Sequence, residues 1–387
     1  MTMLALMLAL PASVSGQEAQ PPAPTETGTS AIQTTTSLFL PLISSWQPPP
    51  APPYATSIYI QNPTTSALTG LGCAQGTRDH NLPGSQDNLI VLAFGKMWLV
   101  NGEYRVRTYT NPSNGLRFNL TFGELEELAR DYILGYLACS DGVSLLTLAI
   151  GVTNYDDMNV DNNVNRFSSD QGFLRSTAYA FGQRFADLAQ RLNAWLARSG
   201  YRGRVWTMGA MDIEWSGQEC NNDRTYCAYW WNTPHVTRGW VDGFNANDGG
   251  AQTYLNFGAC VGCPIVPSLT WRYHRDLPWT QADVYYVSWG APPALPLPQI
   301  YRNDGYLAKQ WQAVSLYGDL HLGGAMVFAG VMTQYQACQQ RTSDSLCPIL
   351  DNTPEEGWTQ MMNELNRNAN TAQSVLRWVT DIRWQIR

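Results

Sequence analysis

Apolar residues are spread along the chain in two rhythms. Residues 88–94 (Asn-Leu-Ile-Val-Leu-Ala-Phe), 144–152 and 204–213 are nearly continuous apolar runs. Runs of that length predict strands covered on both faces. Shorter strand candidates follow at 253–257, 284–289, 299–301 and 325–331. Between them the spacing changes to that of a helix. Over 170–199, Phe173, Ala178, Phe181, Phe185, Leu188, Leu192 and Trp195 share one stripe, and Gly200 stops it. Residues 121–137 predict a second helix, with Thr121 as cap and Glu124 completing a capping box. Further helices are predicted at 233–245, 305–317 and 354–366.

Buried strands alternating with helices predict a parallel α/β fold. Seven or eight such strands in roughly 330 residues suit an irregular (β/α)8 TIM-type barrel. A doubly wound parallel sheet is the alternative. No Gly-x-Gly-x-x-Gly follows the first strand run and no phosphate loop is present, which weakens its nucleotide-binding version.

Ahead of this pattern the rhythm is lost. Residues 3–10 form a short apolar run and 11–16 supply small residues, so 1–16 read as a signal peptide without a basic start. The run is too short to span a bilayer. Residues 17–53 are rich in Pro, Thr and Ser and read as a disordered linker, interrupted by Leu38-Phe39-Leu40-Pro41-Leu42-Ile43. Residues 54–387 are then one barrel domain. The chain is expected to be secreted, extracellular or held at the cell surface.

Cysteine usage fits export. The eight cysteines fall into local pairs, Cys220/Cys227, Cys260/Cys263 and Cys338/Cys347, leaving Cys73 with Cys139. Four disulfides are expected. Zinc at Cys260 and Cys263 lacks the second ligand pair it needs.

The net charge is −7 with no basic run, which argues against nucleic acid as a partner. Charged residues are only 14%, whereas Trp (15) and Tyr (19) are abundant; this favours stacking on a glycan over phosphate binding.

The third apolar run ends Met211-Asp212-Ile213-Glu214-Trp215. On a strand, positions i and i+2 share a face, so Asp212 and Glu214 can converge on one ligand. Glycoside cleavage needs such carboxyl pairs, and Trp215 offers a plate for a sugar ring. A salt-bridged pair at a strand end would look the same in sequence. In a barrel the C-terminal strand ends meet in one cleft, which would gather Asn154, Asn256, Trp289, Tyr301 and Tyr335 as substrate contacts. Taken singly, each is better explained by packing than by function.

No cofactor is expected. Within 156–165, Asp157, Asn159 and Asp161 alternate like the start of a calcium loop, but Asn162 and Ser168 stand where Gly and Glu belong. The stretch reads as a solvated loop, with calcium a secondary candidate. No Gly-x-Ser-x-Gly elbow surrounds Ser288, so a serine hydrolase has no support.

The Asp-Ile-Glu strand end resembles the Asp-x-Glu end of a central strand in barrel glycosidases, the Chalaropsis-type lysozymes and the neighbouring-group chitinases. The resemblance implies Glu214 as general acid and Asp212 as the group that orients a substrate acetamide. The stretch 91–96, matched to the first strand of those lysozymes, has no Asp. More widely, Ala-Met-Asp-Ile-Glu-Trp, Tyr-Leu-Asn-Phe-Gly-Ala-Cys-Val-Gly-Cys-Pro, Tyr-Val-Ser-Trp-Gly and Pro-Gln-Ile-Tyr are similar to a group of secreted bacterial proteins with a glycosidase-like barrel and no assigned activity. The expectation is a glycoside hydrolase-like protein acting on N-acetylated cell-wall or extracellular polysaccharide. The alternative is a non-catalytic carbohydrate-binding or structural protein on a degenerate barrel.

Overall fold

The computed structural model describes residues 48–154, 171–214, 233–273, 278–341 and 345–386. The signal peptide, most of the linker, the calcium candidate at 156–165, Trp215, Cys220 and Cys227 lie outside the described residues.

Eight parallel strands follow one another round a barrel: β1 (Ala55–Tyr59), β2 (Asp87–Val100), β5 (Leu145–Thr153), β6 (Val205–Asp212), β7 (Tyr254–Asn256), β8 (Ala294–Pro296), β9 (Gly330–Thr333) and β10 (Trp378–Trp384). Each pairs with its predecessor in chain order, except across β8 and β9, and β10 returns to pair with β1. The β8–β9 seam is lightly sewn. Ala329 N donates to Pro296 O at 2.9 Å, and Ile300 N to Met332 O at 2.9 Å. The fold is an irregular (β/α)8 TIM-type barrel.

Helices α1 (Thr65–Asn81), α2 (Phe122–Cys139), α3 (Gln171–Arg198), α4 (Pro234–Ala246), α5 (Gln281–Tyr285), α6 (Tyr306–His321), α7 (Tyr335–Gln340) and α8 (Pro354–Leu365) fill the crossovers. After Gly95, β2 runs on into an antiparallel ribbon with β3 (Glu103–Arg107) and β4 (Asn119–Leu120). The capping box expected at α2 is present: Thr121 Oγ1 accepts from Glu124 N at 3.2 Å, and Glu124 accepts from Thr121 N at 2.7 Å.

One predicted strand is a helix. Residues 284–289 lie in α5 and in a π-helical turn, Tyr286–Gly290, and the barrel strand comes later, at β8. Their β-branched and aromatic content reads as strand. Thr280 decides otherwise: its hydroxyl accepts from Asp283 N while Asp283 accepts from Thr280 N, a closed capping box that starts a helix. Val284 and Val287, fully buried and three apart, then face the core together. Strands β1 and β10 and helix α1 carry no prediction above, and β1, not the stretch at 91–96, is the first barrel strand.

Disulfides join Cys73 to Cys139, Cys260 to Cys263 and Cys338 to Cys347, the pairs expected from spacing. No described helix is long and apolar enough to cross a membrane.

Candidate active site

Alternation along β6 decides what points inward. A Cβ on Gly209 would meet the Phe244 ring of α4, so position 209 faces the helices. Odd-numbered residues of β6 therefore face out, and Met208, Ala210 and Asp212 face the barrel axis. Glu214, just beyond the strand, keeps the same parity. On β5, a Cβ at Gly151 would meet Phe257 and Val91, which puts Thr153 on the inner face beside Asp212 and turns Asn154 outward.

Asp212 is buried and Glu214 half-buried at the C-terminal mouth. Gln299 Nε2 donates to Asp212 Oδ1 at 2.9 Å. Among the described residues no cation pairs with either carboxylate, and Gln299 alone donates to one. Burial therefore acts on the pair with little to oppose it. It pushes Asp212 well above the usual carboxylate range, with the Glu214 charge adding to the effect. Burial pushes Glu214 up to about 7. Burial thus makes both carboxyls hold their protons more tightly than free ones.

A cluster of aromatic rings stands within electrostatic reach of this pair. Tyr59 from the end of β1 lies 4.6 Å from Trp384 at the end of β10, and Tyr109 lies 5.0 Å from Tyr59 and 5.4 Å from Trp384, centre to centre. Tyr301 is buried beside them. Its hydroxyl stands next to that of Tyr59 without a well-formed hydrogen bond. Burial, and then the charges of Asp212 and Glu214, raise the proton affinity of the Tyr59 hydroxyl; for Tyr109, burial leads, followed by Tyr59 and then the two carboxylates. Tyr301 follows the order seen for Tyr109, with burial first and Tyr59 next. Arg341 stands behind the cluster, 5.7 Å over the Trp384 ring, with Nη2 donating to Gln334 Oε1 at 3.1 Å.

Of the residues singled out from sequence, the structure brings Asp212, Glu214 and Tyr301 together. Tyr335, half-buried, opens α7 at the rim, its N–H donating to Asp381 Oδ1 at 2.8 Å. Asn154 points to α4, with Nδ2 donating to Thr237 Oγ1 at 3.1 Å. Asn256 is paired with Met211 and shares its outward parity; its Nδ2 donates to Ser288 Oγ at 2.7 Å and its Oδ1 accepts from Gly258 N at 3.0 Å. Trp289 lies on the π-helical turn that leads into the N-terminal end of β8, away from the mouth. Sequence reasoning missed Gln299, Tyr59, Tyr109 and Trp384. Gln299 was within reach, because it stands two positions before Tyr301 and so shares its face.

No protein-family model matches the chain, and no curated protein does. A solved structure, the cycloisomaltooligosaccharide glucanotransferase of Paenibacillus sp. complexed with cycloisomaltoheptaose, is similar over 74% of this chain and 38% of its own, at 12% identity and a TM-score of 0.30. The chain thus spans well under half of that enzyme's length, and a likeness of this size carries no functional argument.

Proposed function

We propose that the protein is a secreted glycoside hydrolase acting on N-acetylated glycans of cell walls or extracellular polysaccharide. The observation that carries this reading is the inward-facing pair Asp212 and Glu214 at the C-terminal mouth, near an aromatic cluster, where burial raises the proton affinity of both. Glu214, the more exposed of the two, protonates the leaving glycosidic oxygen, and a raised proton affinity is what a general acid needs. Tyr109 and Trp384, both half-buried, offer ring faces to a sugar, with buried Tyr59 packed against both, and Trp215 is proposed as a further plate. Among the described residues the mouth holds no third carboxylate to act as nucleophile or base. The substrate's own acetamide fills that part, with Asp212 holding it in place. Disulfides are compatible with an extracellular site of action.

The direct test is hydrolysis of chitin, peptidoglycan and a plain glucan by wild type and by Glu214→Gln. Wild type should cleave the N-acetylated polymers only, and Glu214→Gln should lose about 10²-fold or more in kcat, the scale of general acid catalysis. Equal cleavage of plain glucan removes the acetamide role, and undiminished Glu214→Gln removes the acid.

One observation favours a non-catalytic carbohydrate-binding protein: the first barrel strand ends at Tyr59 and runs on through Ile60 and Gln61, with no carboxylate. Glycan binding without turnover, lost in Trp384→Ala, would favour that reading.

A further inference from the structure

Asn154 was singled out as a residue that touches sugar. Its side chain does something else. Asn154 Oδ1 accepts the backbone N–H of Glu214 at 2.7 Å. Its Nδ2 donates to Thr237 Oγ1 on the second turn of α4, at 3.1 Å. Its own backbone N–H donates to Asp212 O at 3.2 Å. Asn154 is buried, and each side of its amide already has a protein partner. The bond to Glu214 matters because β6 ends at Asp212, so the ladder no longer fixes Glu214.

A second contact closes on the same three residues. A Cβ on Gly258 would lie 2.0 Å from Ile213 O, so the loop leaving β7 is pressed against the peptide between the two carboxylates. Gln299 holds Asp212 from a third side, and Gln299 N in turn donates to Gly258 O at 3.2 Å. The end of β6 is thus gripped from β5, from β7 and from the segment after β8.

We infer that Asn154 is a positioning residue for Glu214: through its clamp on the Glu214 peptide, anchored on Thr237, it sets where the Glu214 carboxyl stands in the mouth. The inference rests on the reading of Glu214 as the acid for its effect on turnover, but the clamp can be tested without substrate. A carboxyl displaced by about 1 Å loses on the order of 10²-fold in rate.

The experiment compares wild type, Asn154→Ala and Asn154→Asp on the full chain, each checked for folding by circular dichroism. Asn154→Asp keeps an acceptor for the Glu214 N–H, so it serves as the rescue if the alanine variant folds poorly. Hydrogen exchange at the Glu214 amide should quicken about 10-fold or more in Asn154→Ala, the scale of one lost hydrogen bond, and stay near wild type in Asn154→Asp. On chitin oligomers, kcat should fall about 10²-fold in Asn154→Ala with KM unchanged, and recover in large part in Asn154→Asp. Unchanged exchange in Asn154→Ala overturns the clamp. Raised KM with unchanged kcat overturns positioning in favour of a sugar contact. Wild type without turnover on any N-acetylated glycan sinks the hydrolase reading instead, and the exchange measurement still decides the clamp.

Discussion

Ionising a carboxyl group that burial keeps protonated costs stability, and Asp212 and Glu214 both stand in that position. Their proton affinities are raised in the folded chain above the usual range near 4 that an unfolded chain offers. The folded state therefore binds more protons than the unfolded one between those limits. The contribution to stability is complete below about pH 4 and is lost as pH rises through the folded values, about 7 for Glu214. Glu214→Gln should stabilise the protein at pH 8, on the order of 2 kcal/mol, and do little at pH 4. Thermal unfolding at both pH values checks this, and a gain at pH 4 with none at pH 8 would contradict it. In sequence, Asp212 and Glu214 stood out because their i, i+2 spacing survives any error in strand register. Asn154 and Asn256 did not reveal their outward direction, because parity needs a neighbour such as Gly209 or Gly151 against which to be fixed.

Among the elements, two helix pairs share one device. A Cβ on Gly72 of α1 would meet Tyr132 O of α2 at 2.0 Å, and one on Gly135 of α2 would meet Thr69 O at 2.1 Å. In the next pair, Gly182 of α3 faces Trp240 O of α4 at 1.9 Å, and Gly243 faces Tyr179 O at 2.0 Å. Both pairs bring backbone against backbone, with reciprocal glycines at the crossing. Gly→Ala inside a helix ordinarily stabilises by up to about 1 kcal/mol. Here the sign reverses, because the obstacle is a carbonyl and not a movable side chain. Gly72→Ala and Gly182→Ala should each destabilise by about 1–3 kcal/mol, read from denaturant midpoints, whereas Gly70→Ala, with open space around it, should not. This packing also explains why α1 was illegible: its contact face is built from Gly72 and Gly76, which leave no apolar stripe. Helix α2 was readable from its capping box, and α3 from its seven-residue stripe. The π-helical turn misled because Val, Tyr and Trp favour strands on average, and a single Thr280–Asp283 box outweighed them.

At the scale of the molecule, the barrel was legible because its central strands, β2, β5 and β6, are long and covered on both faces. The ends were not, since β1 is five residues and β10 carries polar Thr380, Asp381 and Arg383. Asp381 is polar for a reason of its own: from β10 it accepts the N–H groups of Tyr335 and Gln336 at the start of α7, at 2.8 and 2.9 Å, and the Thr333 hydroxyl at 2.7 Å. These terminal strands hold much of the mouth, Tyr59 on one and Trp384 on the other. Inside the barrel the Ser57 and Thr380 hydroxyls meet at 2.6 Å across 323 positions of sequence. That contact has a meaning for biogenesis. Of the barrel strands β1 comes first in the chain and β10 last, so until β10 docks, β1 and β9 each keep an open edge. Open edges recruit other strands, and long-range closure is slow. A chain terminated before Trp378 should accumulate as aggregate, not as a seven-stranded intermediate, when expressed and fractionated by sedimentation. Strand β10 is thus both a wall of the cleft and the latch that closes the open edges of β1 and β9.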